Sequence, residues 1–158
     1  MINKPRVVID TNVFIDGNLF SGKNSEKIMK LFKDIKITLL FSQNTIGELV
    51  YMSRIMSRKV IRDIDLRMDY LNYIMYIFYH SKSINTIDQK EKHGLKCKDE
   101  RDDMFIDCAY YGKADYLITD DKNSGLHKMV IGDTKILTAD EFIAIYEEEH
   151  GEIIIDDE

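Results

Sequence analysis

The sequence predicts one α/β domain built on a central parallel sheet with helices on both of its faces, and three observations carry that expectation. Arg6-Val7-Val8-Ile9 is a short run rich in β-branched residues that stops at Asp10-Thr11-Asn12, as a buried parallel strand stops at a polar turn. Tyr116-Leu117-Ile118-Thr119 repeats the arrangement and stops at Asp120-Asp121. Around these two runs, strand-like and helix-periodic segments alternate, which implies strands joined by crossover helices.

The elements follow in order. After the first strand, Ser25 is placed to cap a helix carrying Ile28, Leu31, Phe32 and Ile35, and Lys36 to Phe41 reads as a second strand entering Ser42. A helix is expected from Gln43 or Asn44 with Ile46, Leu49 and Val50, then a polar junction at Ser57-Arg58-Lys59. In the next helix Val60, Ile64, Met68, Leu71, Met75 and Phe78 recur at helical spacing, and they are expected to form its core face. From His80 to Glu100 the pattern turns polar, apart from a short strand at Ser83 to Ile87. Asp102-Asp103 open a helix running through Tyr111, with Gly112 as its C-cap. A last strand spans Lys135 to Leu137, and Thr138 with Glu141 forms a capping box for a final helix. The segment Gly151 to Glu158 reads as a strand or a disordered partner-binding tail.

A chain of 158 residues can bury its own core, so residues 1–150 are assigned to one domain and 151–158 to an acidic tail. The polar start at Met1 to Arg6 and the absence of any long apolar run predict a cytoplasmic protein that does not enter membranes. Cys97 and Cys108 lack metal-type or disulfide-type spacing and read as free thiols, and His80, His93, His127 and His150 form no ligand pattern. Net charge is −6, which argues against coating nucleic acid electrostatically. Basic residues are nonetheless grouped, at Arg54, Arg58, Lys59, Arg62 and Arg67 and at Lys90, Lys92, Lys96, Lys98 and Arg101. Each group can track phosphates locally.

In a parallel α/β sheet, functional groups gather beyond the carboxyl ends of the strands. Asp10 and Asp120-Asp121 end strands there, Asp102 and Asp103 begin a helix that returns there, and Glu48 lies in the first turns of the helix after the second strand. Such carboxylates repel one another, by about 4 kcal/mol for a pair at about 4 Å with an effective dielectric of 20. An oxygen-rich cluster without histidine or thiol suits a hard cation, Mg²⁺ or Mn²⁺. Asp102 shares a helical stripe with Phe105, Ala109 and Gly112, whose small members permit close approach to the sheet, so it is favoured over Asp103.

Val7 to Phe14, Ser42 to Leu49, Asp99 to Phe105 and Ala114 to Asp121 resemble, in order, the successive motifs of the PIN domain family, most of all the toxin components of bacterial toxin-antitoxin systems. The resemblance implies that Asp10, Glu48, Asp102 and Asp121 are the catalytic, metal-holding acids, supported by Asn12 and Thr119, with Asp103 and Asp99 as substitutes. Asp120 departs from the family's usual small residue, and spacing from Thr119 favours Asp121 as the ligand. The implied activity is metal-dependent endoribonucleolytic cleavage, with Arg54, Arg58 and Lys59 touching the RNA backbone, an antitoxin protein as partner, and a homodimer. Two other readings compete with this one: a non-catalytic binding module of the same fold, and an aspartyl-phosphate phosphatase. The phosphatase is disfavoured because Asn12 stands where such an enzyme needs a second Asp.

Overall fold

The computed structural model describes residues 4–20 and 22–156; Met1 to Asn3, Ser21, Asp157 and Glu158 lie outside the described residues. Five strands, β1 (Arg6–Ile9), β2 (Thr38–Ser42), β3 (Lys82–Ile84), β4 (Tyr116–Ile118) and β5 (Lys135–Leu137), form one sheet in the order β3-β2-β1-β4-β5. All pairs are parallel. The helices are α1 (Thr11–Leu19), α2 (Lys23–Lys33), α3 (Gln43–Val60), α4 (Ile64–Tyr79), α5 (Asp103–Gly112) and α6 (Ala139–His150), with 3₁₀ turns at Glu100–Asp102 and Leu126–Lys128.

Side chains alternate across the sheet with a period of two, as strand geometry requires. Val7, Ile9, Leu39, Phe41 and Ile118 face one core with residues of α1, α2, α4 and α6, while Val8, Leu40 and Leu117 face the other with Phe105, Ile106 and Ala109 of α5. The expected sheet with helices on both faces is the fold observed.

Several elements differ from expectation, each for a physical reason. Asp10 to Asn12 is not merely a turn, because Asp10 is the N-cap of α1 and accepts a hydrogen bond from the Asn12 N–H. That helix buries Thr11 and then Val13, Phe14 and Ile15 in succession, so it has little amphipathic periodicity to betray it. Ser25 is not a cap. It is buried inside α2, which begins after Gly22, and it meets Gly17 of α1, where an added Cβ would lie 2.7 Å from the Ser25 carbonyl oxygen. Ile35 falls beyond the end of α2, at φ 57° and 65% exposed.

The junction expected at residues 57–59 lies at 61–63, since α3 continues through Val60. The core face of α4 is also displaced. Its buried residues are Tyr70, Ile74 and Ile77, at i, i+4 and i+7, whereas Val60, Ile64, Met68 and Met75 of the expected stripe are exposed. Apolar residues surround this helix, so spacing alone admits more than one stripe and packing on the sheet selects between them. β3 is shorter than expected and starts one residue earlier. Lys113, at φ 50°, takes the left-handed cap position expected of Gly112, while Gly112 lies in α5 against Leu40 and Ile84. The Thr138–Glu141 capping box forms as expected.

The segment 151–156 joins no ladder; Ile153 is buried, and its N–H donates to Glu147 Oε1 at 3.0 Å. Both cysteines are free, with burial pushing the Cys97 thiol up to about 11 and the Cys108 thiol up to about 12.

Because the obstruction at Gly17 is backbone, Gly17→Ala is expected to force α1 from α2 and destabilise the protein by about 1–3 kcal/mol in urea unfolding. An unchanged midpoint would show that the two helices are not in close contact there.

Candidate active site

Asp10 lies just past the end of the central strand, where its N–H donates to the Ile118 carbonyl at 2.9 Å and its side chain is almost fully buried. The Thr119 hydroxyl donates to Asp10 Oδ2 at 2.8 Å and accepts the Asp121 N–H at 3.2 Å. One buried hydroxyl thus ties the ends of β1 and β4 together. Burial raises the Asp10 pKa above the usual carboxylate range, the nearby Glu48 and Asp121 carboxylates raise it further, and the hydrogen bonds from Thr119 and Asn12 oppose the rise.

Glu48 reaches the same region from α3, whose start is set by a capping box between Ser42 and Thr45. The Thr11 hydroxyl donates to Glu48 Oε2 at 2.6 Å and anchors that carboxylate above α1. Asp102 enters from the turn before α5. Its pKa is pushed up to about 6, first by burial and then by the carboxylates of Asp10, Asp99, Asp121 and Glu48. The structure therefore brings Asp10, Glu48, Asp102 and Asp121 into one electrostatic field.

The two adjacent pairs of acids separate. Asp103 Oδ1 accepts the Cys97 N–H at 2.8 Å and so faces the preceding loop. Asp120 Oδ1 accepts the Ala139 N–H at 2.9 Å and so serves the start of α6, beside Asp16, whose pKa is raised by burial and by Asp120. Asp99 is held by the Arg101 guanidinium, which keeps its carboxyl below the usual range. Asn12 is exposed in the first turn of α1, and the part it plays here is its backbone N–H.

Several contributors were not assigned to the site from sequence. Thr11 follows Asp10 directly, but nothing in the chain order announces its bond to Glu48. Lys98 and Arg101 line an open cleft of about 530 Å³ together with Asp99, Glu100, Asp121, Asn123 and Ser124, so of the four candidate acids Asp121 borders it directly. His127 Nε2 lies 2.8 Å from the Thr119 carbonyl oxygen and steadies the end of β4. His93 binds the 85–99 loop to α5: its Nδ1 accepts the Leu95 N–H, so Nε2 carries the proton toward Asp107 Oδ1 at 2.5 Å. Arg54, Arg58 and Lys59 are exposed along α3. Only Lys59 shares the Glu48 face, about 16 Å further along the helix by its rise of about 1.5 Å per residue.

Among the described residues, no three acid, histidine or cysteine side chains close on a common ion position. The donor set nevertheless fits a hard divalent cation. Its members are carboxylate oxygens, and for Asp10 and Asp102 burial first, then the neighbouring carboxylates, raises the pKa, so a cation bound among them would relieve the crowding of charge.

Fold and site together define an α/β protein with an acidic cleft beyond the carboxyl edge of its parallel sheet. Residues 6–123 match the family model of the PIN domain, and the chain belongs to that family. It is 32% identical over 120 residues to Uncharacterized protein MJ1680 of Methanocaldococcus jannaschii, covering 76% of this chain and 73% of that protein. In structure it is similar to a chain of VapBC2 from Rickettsia felis bound to a DNA fragment from their promoter, with a TM-score of 0.54 at 14% identity over 83% of this chain and 96% of that one. PIN domains are generally nucleases and generally use divalent metals.

The raised pKa of Asp102 has a sign that can be measured. Unfolding exposes it to water, where it ionises near 3.8, so stability falls as pH rises from that value through about 6, and the penalty is complete above. In chelator, Asp102→Asn is expected to stabilise the protein at pH 7.5 by on the order of 1 kcal/mol after solvent screening. The gain should vanish below about pH 4 in urea unfolding. Equal stabilities at pH 7.5 would mean that Asp102 bears no such burden.

Proposed function

We propose that the protein is a metal-dependent endoribonuclease and the toxin of a toxin-antitoxin pair. The observation that carries this reading is the shared field of Asp10, Glu48, Asp102 and Asp121 at the carboxyl edge of the sheet. These four carboxylates would hold Mg²⁺ or Mn²⁺, which when bound lowers the pKa of water and stabilises charge on a phosphodiester.

The chain's own groups supply the rest. Thr119 fixes the orientation of Asp10, and Thr11 fixes Glu48, which would orient the attacking water. Lys98 and Arg101, at the rim of the cleft, draw the RNA backbone toward an otherwise negative site, and Lys59 extends that contact along α3, whereas Arg54 and Arg58 lie on other faces of the helix. Single-stranded RNA fits best, because its phosphodiester bends into an open cleft more readily than that of a duplex.

Protein partners are also part of the proposal. Ile64, Met68, Met75 and Tyr79 form an exposed apolar stripe along α4, and a second copy of this chain would cover it. The structural similarity to VapBC2 supports an antitoxin partner, and the net charge of −6 favours a basic segment on it.

Incubated with a mixed set of fluorescent single-stranded RNAs, the protein is expected to cleave with Mn²⁺ or Mg²⁺ and to stop in chelator. Asp10→Asn and Asp121→Asn should each lower the rate by at least about 100-fold, since losing a carboxylate that holds the metal should cost no less than losing a group that only orients one, about 10–100-fold. Asp120→Asn should retain most of it. Metal-independent cleavage, or cleavage by Asp10→Asn at the wild-type rate, would sink the proposal. Separately, Met68→Asp with Met75→Asp is expected to convert a dimer to a monomer in sedimentation equilibrium; a wild-type monomer at all concentrations would remove the second copy from α4.

A further inference from the structure

A second cavity, of about 460 Å³, opens at the carboxyl ends of β2 and β3. Its volume falls within the range of about 300–1,000 Å³ typical of small-ligand pockets. The lining is mainly apolar, with Phe41, Ile46, Phe78 and Ile87, and the polar groups are Gln43, Asp88 and neighbouring hydroxyls and amides. Asn85 shapes the loop: its Oδ1 accepts the N–H groups of Ile87 and Asp88, and its Nδ2 donates to Asp88 Oδ2. The Gln43 side-chain amide, exposed at the first position of α3, makes no hydrogen bond among the described residues, and neither does Asp88 Oδ1.

The pocket therefore offers apolar contact, an amide that both donates and accepts, and a carboxylate oxygen that accepts. That is the complement of a flat ring with apolar faces and a polar edge bearing N–H groups. No lysine or arginine lines it, so a phosphate has no partner there. Its position connects it to the acids. β2 neighbours β1, so the end of β2 lies about 5 Å from that of β1 by strand spacing. The opening of α3 serves both places, with Gln43 and Ile46 on the pocket and Glu48 toward Asp10.

We propose that this cavity receives one unstacked base of the RNA beside the scissile phosphate and sets a base preference for cleavage. The inference rests on the ribonuclease reading above. Stacking and edge contacts to a splayed base discriminate between single-stranded sequences in a way that backbone contacts do not.

The test uses Asp10→Asn protein with Mn²⁺, so that RNA is bound without being cut, and fluorescein-labelled decamers of defined sequence read by anisotropy. Gln43→Ala with Ile87→Ala is added to that background; both side chains are exposed, and circular dichroism checks the fold. The double substitution is expected to weaken binding at least fivefold and to level the differences between sequences. An abasic scan should find one position whose base matters to the parent and no longer matters to the variant. Equal RNA affinity in both proteins, with abasic sites costing both alike, would overturn the pocket and leave the nuclease reading standing. A parent that binds no RNA, beside wild type that cleaves none, would remove both.

Discussion

A carboxylate almost out of water at the end of the central strand is the constraint around which this molecule is organised. Asp10 has its pKa raised by burial, and the groups that make its position tolerable come from two directions. The Thr119 hydroxyl arrives from the end of β4, and the Asn12 N–H from the start of α1. The Thr119 bond requires β1 and β4 to be paired in register, because Asp10 continues their ladder through the Ile118 carbonyl, whereas the Asn12 bond is local to the start of α1. The same hydroxyl accepts the Asp121 N–H, so the placement of a second acid depends on the first.

Around Asp10 the fold concentrates like charge and discharges it unequally. Asp103 and Asp120 spend their oxygens on backbone N–H groups of the loop and of α6, and Asp99 has Arg101. Glu48 and Asp102 are not neutralised in this way: the first receives only the Thr11 hydroxyl, and the second has burial and four carboxylates raising its pKa. This division separates acids bonded to backbone N–H groups or to arginine from acids whose carboxylates lie together without such partners. Carboxylates with raised pKa values gathered in one region are a common mark of a functional site.

Other surfaces carry similar imbalances. The 85–99 loop crosses open surface, yet it is tied to α5 by His93 and Asp107 and to the site by the Cys97 N–H on Asp103, so the basic rim at Lys98 and Arg101 is carried by an anchored segment. Along α4, large apolar side chains face water although Tyr70, Ile74 and Ile77 satisfy the sheet on the other side.

Strand-like runs ending in acids, the alternation of elements and the capping box at Thr138 were all legible in the chain, because short-range pattern and capping chemistry are local properties. They were sufficient for the parallel sheet, for its helices on both faces and for the region where the acids meet. The Asp102 stripe was legible for the same reason: helical periodicity relates it to Ala109 and Gly112, and Gly112 indeed packs against Leu40 and Ile84. The start of α1, the buried face of α4 and the displacement of Ser25 into α2 were not, since each depends on which apolar surface a distant element presents. Tertiary structure alone decided that one threonine hydroxyl would join Asp10 to Asp121, that Thr11 would hold Glu48, and that Gln43 would border a pocket. Those are meetings of residues far apart in sequence, and their energies exist only once packing has brought the groups within hydrogen-bonding or Coulombic reach.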